Sequence, residues 1–328
     1  MLLLTKEEIQ KVVTMKDIIE ANNEAYKFVV EEKCVVPLRT NIQAPKKDGC
    51  FLFMPAYVAD MDVASLKIVN IFPQNTALNI PTVPAQVMLI NGNTGVVESI
   101  MDGTYVTQLR TGAASGCAFA ALARKDSKIG AMIGTGGQAA CQLEAMLSVT
   151  NLDEVRICGR NFEKTKAFVV AMTEEMKAYN VELKAVETSD EAIDNADVII
   201  VVTSATAPVF DDRKVKAGCT ISGIGSYQHH MQEIDPKTLV RASKIFFDST
   251  EAVLSESGCV TKPLKDGIIS ELDFTGELGE VLNHTKVGRE NDEEIIVFKS
   301  VGVAVQDLMA AHMIYTKAKE AHIGLEWN

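Results

Sequence analysis

The chain comprises 328 residues, with 44 acidic against 32 basic side chains and a net charge of −12. That length accommodates two domains with sizeable cores, and the acidic balance argues against nucleic acid or an anionic membrane as a partner. Seven cysteines without a Cys-x-x-Cys pair, and five histidines without a His-x-x-x-His pair, suggest neither a disulfide framework nor a metal site. The opening MLLLTKEEIQKV is too short in its apolar part and too acidic afterwards for a signal peptide. No apolar run reaches membrane-spanning length, so a reduced, cytoplasmic setting is expected.

In chain order, an amphipathic helix is predicted over Met15 to Glu31. Strand-like segments follow at Val35 to Gln43, Cys50 to Ala56, Ala64 to Phe72, Ala85 to Asn91 and Val96 to Ile100. The cluster Asn91-Gly92-Asn93-Thr94-Gly95 reads as a turn between the last two. A helical stretch then runs from about Val106 to Ala123. These elements predict a separate α+β domain with a partly antiparallel sheet.

The pattern changes at Ile129 to Ile133, a short apolar run entering Gly134-x-Gly136-x-x-Ala139. Helical spacing of Ala139, Leu143, Met146 and Leu147 leads to a second strand, Val155 to Cys158. A dinucleotide site requires that order: a first glycine for the tight turn, a second for close approach of a pyrophosphate, and a small third residue for helix–strand packing. Amides at the helix start then face the anion, which places Gly134, Thr135, Gly136, Gly137, Gln138 and Ala139 among the cofactor-binding residues. The second strand ends in Cys158-Gly159-Arg160-Asn161, without the carboxylate that usually meets a ribose 2′-hydroxyl. The planar fork of Arg160 suits a 2′-phosphate, so NADP(H) is favoured and NAD(H) is possible.

Further along, Phe162 to Tyr179 is helical, Val181 to Val186 a short strand and Ser189 to Asn195 a short helix. The β-branched run from Asp197 to Ser204 fits a strand buried on both faces. It places Thr203 and Ser204 at a carboxyl end, where such folds bind ligands. Strands at Cys219 to Ser222 and Lys244 to Phe247 bring the doubly wound parallel sheet to about six. A last helix, about Val303 to Ala321, lies beyond the nucleotide domain. The expected organisation is a Rossmann domain over 123–302 and a substrate and dimerisation domain over 1–122, completed by the helix within 303–328.

Three cations interrupt apolar or small-residue surroundings: Arg39 in VPLRTNI, Lys67 in ASLKIVNIFPQN and Arg110 in QLRTGAASG. Burying a lone charge is costly, so such residues usually meet an anion. The carboxylate of an amino or keto acid is one such anion; an exposed position or an internal ion pair is the alternative for each cation alone.

The chain resembles the ornithine cyclodeaminase/μ-crystallin family over nearly its whole length. The resemblance rests on Leu66-Lys67-Ile68-Val69-Asn70 with Pro73-Gln74-Asn75, on Leu109-Arg110-Thr111-Gly112-Ala113-Ala114-Ser115, and on Ile133-Gly134-Thr135-Gly136-Gly137-Gln138. It extends to Gly225-Ser226-Tyr227 with Gln232-Glu233-Ile234-Asp235, and to Ser300-Val301-Gly302-Val303-Ala304-Val305-Gln306-Asp307. It implies an NAD(P)-dependent enzyme acting on amino, imino or keto acids, a homodimer joined through the non-nucleotide domain, and a substrate site in which Arg39 and Arg110 hold the carboxylate and Lys67 is catalytic, with Thr111 adjacent. Gly225 joins the cofactor set, and Asp307 is a candidate to orient Lys67 or to move a proton, with an ion pair or helix-end role as the alternative.

One position departs from the cyclodeaminases, which carry an Asp after the glycine that matches Gly225. Counting back from Glu233, Tyr227 stands there, and a phenol cannot serve as a carboxylate partner or base near neutrality. The expected activity is therefore reduction of a cyclic imino acid such as pyrroline-2-carboxylate, or reductive amination of a keto acid, to an L-amino acid. The alternatives are an ammonia-releasing ornithine cyclodeaminase and a nucleotide- or ligand-binding protein without turnover.

Overall fold

The computed structural model describes residues 1–327, and the chain divides into two units, Met1–Arg110 joined by the segment from Val303 onward, and Thr111–Gly302. The first unit, numbering elements in chain order, holds β1 (Leu2–Leu4), α1 (Lys6–Val12), α2 (Met15–Val30), β2 (Cys34–Val35), β3 (Thr40–Ala44), β4 (Gly49–Val58), β5 (Val63–Ile71), β6 (Ala85–Asn91) and β7 (Val97–Asp102). The long helix α3 (Gly103–Leu122) begins here, and α11 (Ala304–Glu320) and β16 (Leu325–Glu326) complete the unit. Its sheet runs β16-β1-β7-β6-β5-β4-β2, with β3 also on β4. The β4–β7 meander is antiparallel, whereas β1 joins β7 in parallel, as the mixed sheet expected from sequence allows.

Strict alternation shapes this sheet. Leu52, Met54, Ala56, Val69, Val87 and Leu89 point to a buried face covered by α11, on which α2 packs in turn, while their neighbours are less covered. Each large apolar side chain on that face contributes about 1.5–3 kcal/mol of burial. Thr14 starts α2 by accepting from the Asp17 amide at 3.4 Å while the Asp17 carboxylate accepts the Thr14 amide at 2.8 Å.

The strand expected over Val35 to Gln43 is two strands, because residues 36–39, which include Pro37, leave the ladder; Arg39 lies in that break. The helix expected from Val106 starts at Gly103, where the Asp102 carboxylate accepts the Tyr105 amide at 2.8 Å and offsets the poor helix propensity of Gly-Thr-Tyr.

The second unit follows the βαβ order: β8 (Ile129–Ile133), α4 (Ala139–Val149), β9 (Glu154–Cys158), α5 (Phe162–Glu175), β10 (Glu182–Ala185), α6 (Ser189–Ile193), β11 (Val198–Val201) and β12 (Thr220–Gly223). Then come α7 (Pro236–Arg241), β13 (Lys244–Phe247), α8 (Thr250–Glu256), α9 (Gly258–Lys265), β14 (Gly276–Glu277), α10 (Leu278–Leu282) and β15 (Ile296–Lys299). All pairings in the order β10-β9-β8-β11-β12-β15-β13-β14 are parallel. The sheet therefore has eight strands rather than about six; the additions are β15, inserted between β12 and β13, and the two-residue β14. The strand order reverses between β8 and β11, the switch point at which doubly wound folds bind ligands. β11 is buried along its whole length, as its unbroken apolar run requires.

Candidate functional site

In the first unit, sheet register explains where Lys67 goes. Met54, Lys67, Val87 and Met101 form one cross-strand row on the buried face, and Lys67 is 1 % exposed among these apolar neighbours. Its ammonium donates to Asp307 Oδ2 at 2.6 Å. Asp307 is itself fully buried in the first turn of α11, where the helix dipole favours a negative charge. Its second oxygen, Oδ1, accepts from Arg110 Nε at 3.0 Å, so one carboxylate bridges both cations. Arg110 is held from the backbone side as well, with Asn22 Nδ2 donating to its carbonyl at 2.8 Å.

Burial, then the charges of Arg110 and Arg39, push the Lys67 ammonium down against the opposing pull of Asp307, to about 7. Arg110, Arg39 and Asp307 thus all act on the Lys67 ammonium, with Asp307 the one that favours its charged form. Arg110 spends only its Nε on Asp307, so the guanidinium retains terminal nitrogens in a fork suited to a carboxylate. Of the candidates read from sequence, Lys67, Arg110 and Asp307 meet directly, and Arg39 lies near enough for its charge to act on Lys67. Thr111 belongs to the second unit, where its carbonyl accepts from Gln142 Nε2 at 2.8 Å.

In the second unit the glycine turn has the shape a dinucleotide needs. Gly134 has φ +116°, and a Cβ there would overlap the carbonyl oxygen of Val202, just beyond β11. A Cβ on Gly136 would meet nothing within 4 Å, so the backbone is open to close approach. Gln138 at the start of α4 supplies no side-chain cap, unlike Asn161 on α5 or Thr188 on α6. These features of the turn fit the pyrophosphate of an NAD(P). Gly159 lets the tip of β9 lie against Thr135, whose Oγ1 would sit 2.7 Å from an added Cβ. Arg160, the next residue, is exposed, and no ion pair ties it among the described residues. Thr203 and Gly225 share one partner, the Glu233 carboxylate, whereas Ser204 is exposed.

The ornithine cyclodeaminase/mu-crystallin family model matches residues 1–322. The chain belongs to this family. It is 35 % identical over 324 residues to a Delta(1)-pyrroline-2-carboxylate reductase of Bacillus cereus, covering 99 % of this chain and 98 % of that one. Among solved structures, the Thermococcus litoralis Delta(1)-pyrroline-2-carboxylate reductase in complex with NADH and L-proline superposes with a TM-score of 0.95 at 38 % identity, covering all of both chains. An archaeal alanine dehydrogenase dimer with bound NAD superposes with a TM-score of 0.90 at 33 % identity, covering 100 % of this chain and 98 % of that chain.

Within this family frame, three buried charged residues of the nucleotide unit stand out that sequence reasoning did not select. Glu233 lies in the Gln232-Glu233-Ile234-Asp235 motif, where sequence assigns it no contact. Lys299 ends the apolar run of β15 as Lys67 interrupts β5, and the same signal applies to it; its ammonium donates to the carbonyls of Gly223 and Ser300 at 2.8 and 2.7 Å. Asp248, after β13, accepts from Ser300 Oγ and from the amides of Val301 and Gly302 at 2.6, 3.0 and 2.7 Å. Neither of these two makes an obvious sequence motif, because Gly223 lies 76 residues from Lys299 and the partners of Asp248 lie 52–54 residues from it.

Proposed function

We propose that this chain is an NAD(P)H-dependent reductase of cyclic α-imino acids, with pyrroline-2-carboxylate as the leading substrate and an L-amino acid as product. The observation that carries the reading is the buried Lys67–Asp307–Arg110 cluster, one carboxylate bridging two cations, with an ammonium brought down to about 7. Proton transfer is most effective when the acid titrates near the working pH. The relatives' activities and the open glycine turn support the same reading.

Reduced nicotinamide, when bound, supplies the hydride that adds to the imine carbon. Arg39 and Arg110 take the substrate carboxylate, and that fixed geometry supplies much of the acceleration. The arriving negative charge raises the proton affinity of Lys67, so the lysine is protonated once substrate is in place. Lys67 then donates its proton to the imine nitrogen as the C=N π bond opens, forming the N–H bond while hydride forms the C–H bond. Asp307 stabilises the ammonium beforehand and keeps its Nζ aimed. Tyr227 in place of a carboxylate disfavours deamination of a diamino acid.

The exposed Arg160 supports a preference for NADPH over NADH. Two further readings complete the picture. The less covered face of the first unit's sheet carries Phe53, Tyr57, Leu66, Ile68, Met88 and Ile100, an apolar surface suited to a second copy of this chain. Seven reduced cysteines suit a cytoplasmic enzyme.

The test is loss of reduced-nicotinamide absorbance with pyrroline-2-carboxylate, using NADPH and NADH in parallel. Ammonia release from ornithine without net cofactor change would instead identify a cyclodeaminase. No turnover with a panel of imino and keto acids would leave only a binding function.

A further inference from the structure

Glu233 is fully buried, yet its carboxylate engages four donors from two separate strand ends. Oε2 accepts the backbone amide and the hydroxyl of Thr203, just past β11, at 2.8 and 2.9 Å. Oε1 accepts the amides of Gly225 and Ser226, just past β12, at 2.6 and 3.1 Å. The Thr203 hydroxyl in turn accepts the Ala205 amide at 3.3 Å, so the turn after β11 is fixed at both ends. The two loops also touch. A Cβ on Gly225 would overlap the Thr203 carbonyl, and one on Gly134 would overlap that of Val202, so the exit of β11 abuts the glycine turn as well. Glu233 is itself anchored: its amide donates to Cys259 Sγ at 3.2 Å, its carbonyl accepts the Val209 amide at 3.1 Å, and the charge of Lys299 acts on its carboxylate.

We infer that Glu233 is a positioning residue for the dinucleotide: by holding Thr203–Ala205 and Gly225–Ser226 at fixed spacing beside the switch point, it sets the loops that receive the cofactor. A structural role alone does not call for this arrangement. Neighbouring parallel strands are already tied by their own ladder, and a buried carboxylate is an expensive way to join two loops unless their separation matters. An ionised carboxylate is the one side chain that accepts from all four donors at once; protonated, or replaced by an amide, it turns a donor against amides that need an acceptor. The inference rests on the reading of this unit as the NAD(P) site.

The test measures reduced-cofactor affinity by nicotinamide fluorescence, and steady-state KM values for cofactor and imino acid, in the full-length protein. Glu233→Gln keeps the shape but leaves buried amides unpaired, and Thr203→Val removes one hydroxyl link that Thr203→Ser preserves. The expected result is a rise of about tenfold in cofactor Kd and KM for Glu233→Gln, in line with an unpaired buried donor. A smaller rise is expected for Thr203→Val, near wild-type behaviour for Thr203→Ser, and an imino acid KM changed less than twofold. A merely structural role would instead lower the active fraction and leave both KM values alone. Cofactor affinity within twofold of wild type in folded Glu233→Gln overturns the inference. If that variant does not fold, equal cofactor affinities in Thr203→Val and Thr203→Ser overturn it. A wild-type protein that binds neither NADPH nor NADH overturns the nucleotide-site reading first, and this role with it.

Discussion

Replacing Asp307 by Asn probes the proton-donor role of Lys67 most directly. The side chain keeps its size, but the negative charge between the Lys67 ammonium at 2.6 Å and Arg110 Nε at 3.0 Å is lost. Breaking a buried ion pair from one side costs about 3–5 kcal/mol. The amide oxygen still accepts one hydrogen bond, so a loss near the lower end, about 3 kcal/mol, is expected. Because Asp307 raises the proton affinity of Lys67, its removal pushes that group below its present value of about 7. One pKa unit corresponds to about 1.4 kcal/mol, so half of the lost interaction falling on this equilibrium moves it by about one unit. A general acid must be protonated, so the alkaline limb of kcat/KM should begin about one pH unit lower in the variant. Activity should then fall more at pH 8 than at pH 6 relative to wild type. A D307N profile that superimposes on the wild-type profile after scaling would refute Lys67 as the titrating donor.

Lys67→Met should lower kcat for imine reduction by about 10²–10⁴-fold with the fold intact, read as single-turnover cofactor oxidation. The same variant tests linkage. The folded-state Lys67 value is depressed from 10.5 to about 7, so its contribution to stability is fully present above 10.5 and is lost as pH falls through about 7. The stability of K67M should accordingly depend less on pH across that window than wild type does, in chemical denaturation at several pH values. Gly134→Ala should destabilise the unliganded protein by about 1–3 kcal/mol, since φ +116° is strained for any L side chain and the Cβ has no room. Gly136→Ala should leave the unliganded melting temperature unchanged yet weaken dinucleotide binding; equal stability losses in the two variants would contradict the open-backbone argument. Arg160→Ala should reduce the NADPH-to-NADH preference in kcat/KM by about tenfold, the loss of one charge-assisted contact to a 2′-phosphate, and an unchanged ratio would place the 2′-recognition elsewhere.

The nucleotide unit was the more legible half because each of its steps is local. Ile129 to Ile133 and Lys244 to Phe247 appear as strands with the bounds their apolar runs suggest, and the glycine spacing places the turn before α4 without knowledge of any distant residue. β15 is hard to read from sequence although residues 296–298 are apolar, because it follows a long charged and irregular stretch and no periodic helix leads into it. β1, β14 and β16 are too short to show any period, and are strands only because a neighbouring edge accepts them. In the site, charge in apolar surroundings pointed to Arg39, Lys67 and Arg110, but the bridging role of Asp307 could not be read from spacing. Lys67 and Asp307 are 240 positions apart, and only tertiary packing brings them together. The contacts of Glu233 and Asp248 are hidden in the sequence for a related reason: each acts on backbone amides, which every sequence possesses.

The interleaving of the two units along the chain also sets an order of appearance during synthesis. Residues 111–302 are continuous, so the nucleotide unit is complete before α11 has been made. Arg110 precedes Asp307 by 197 residues, a delay of about 10–40 s at typical elongation rates. Throughout that interval the row containing Lys67 lacks its carboxylate and the sheet lacks its covering helix. The unit that holds Lys67 and Arg110 is therefore interrupted by the nucleotide unit, and its cations reach their buried setting only when α11 arrives.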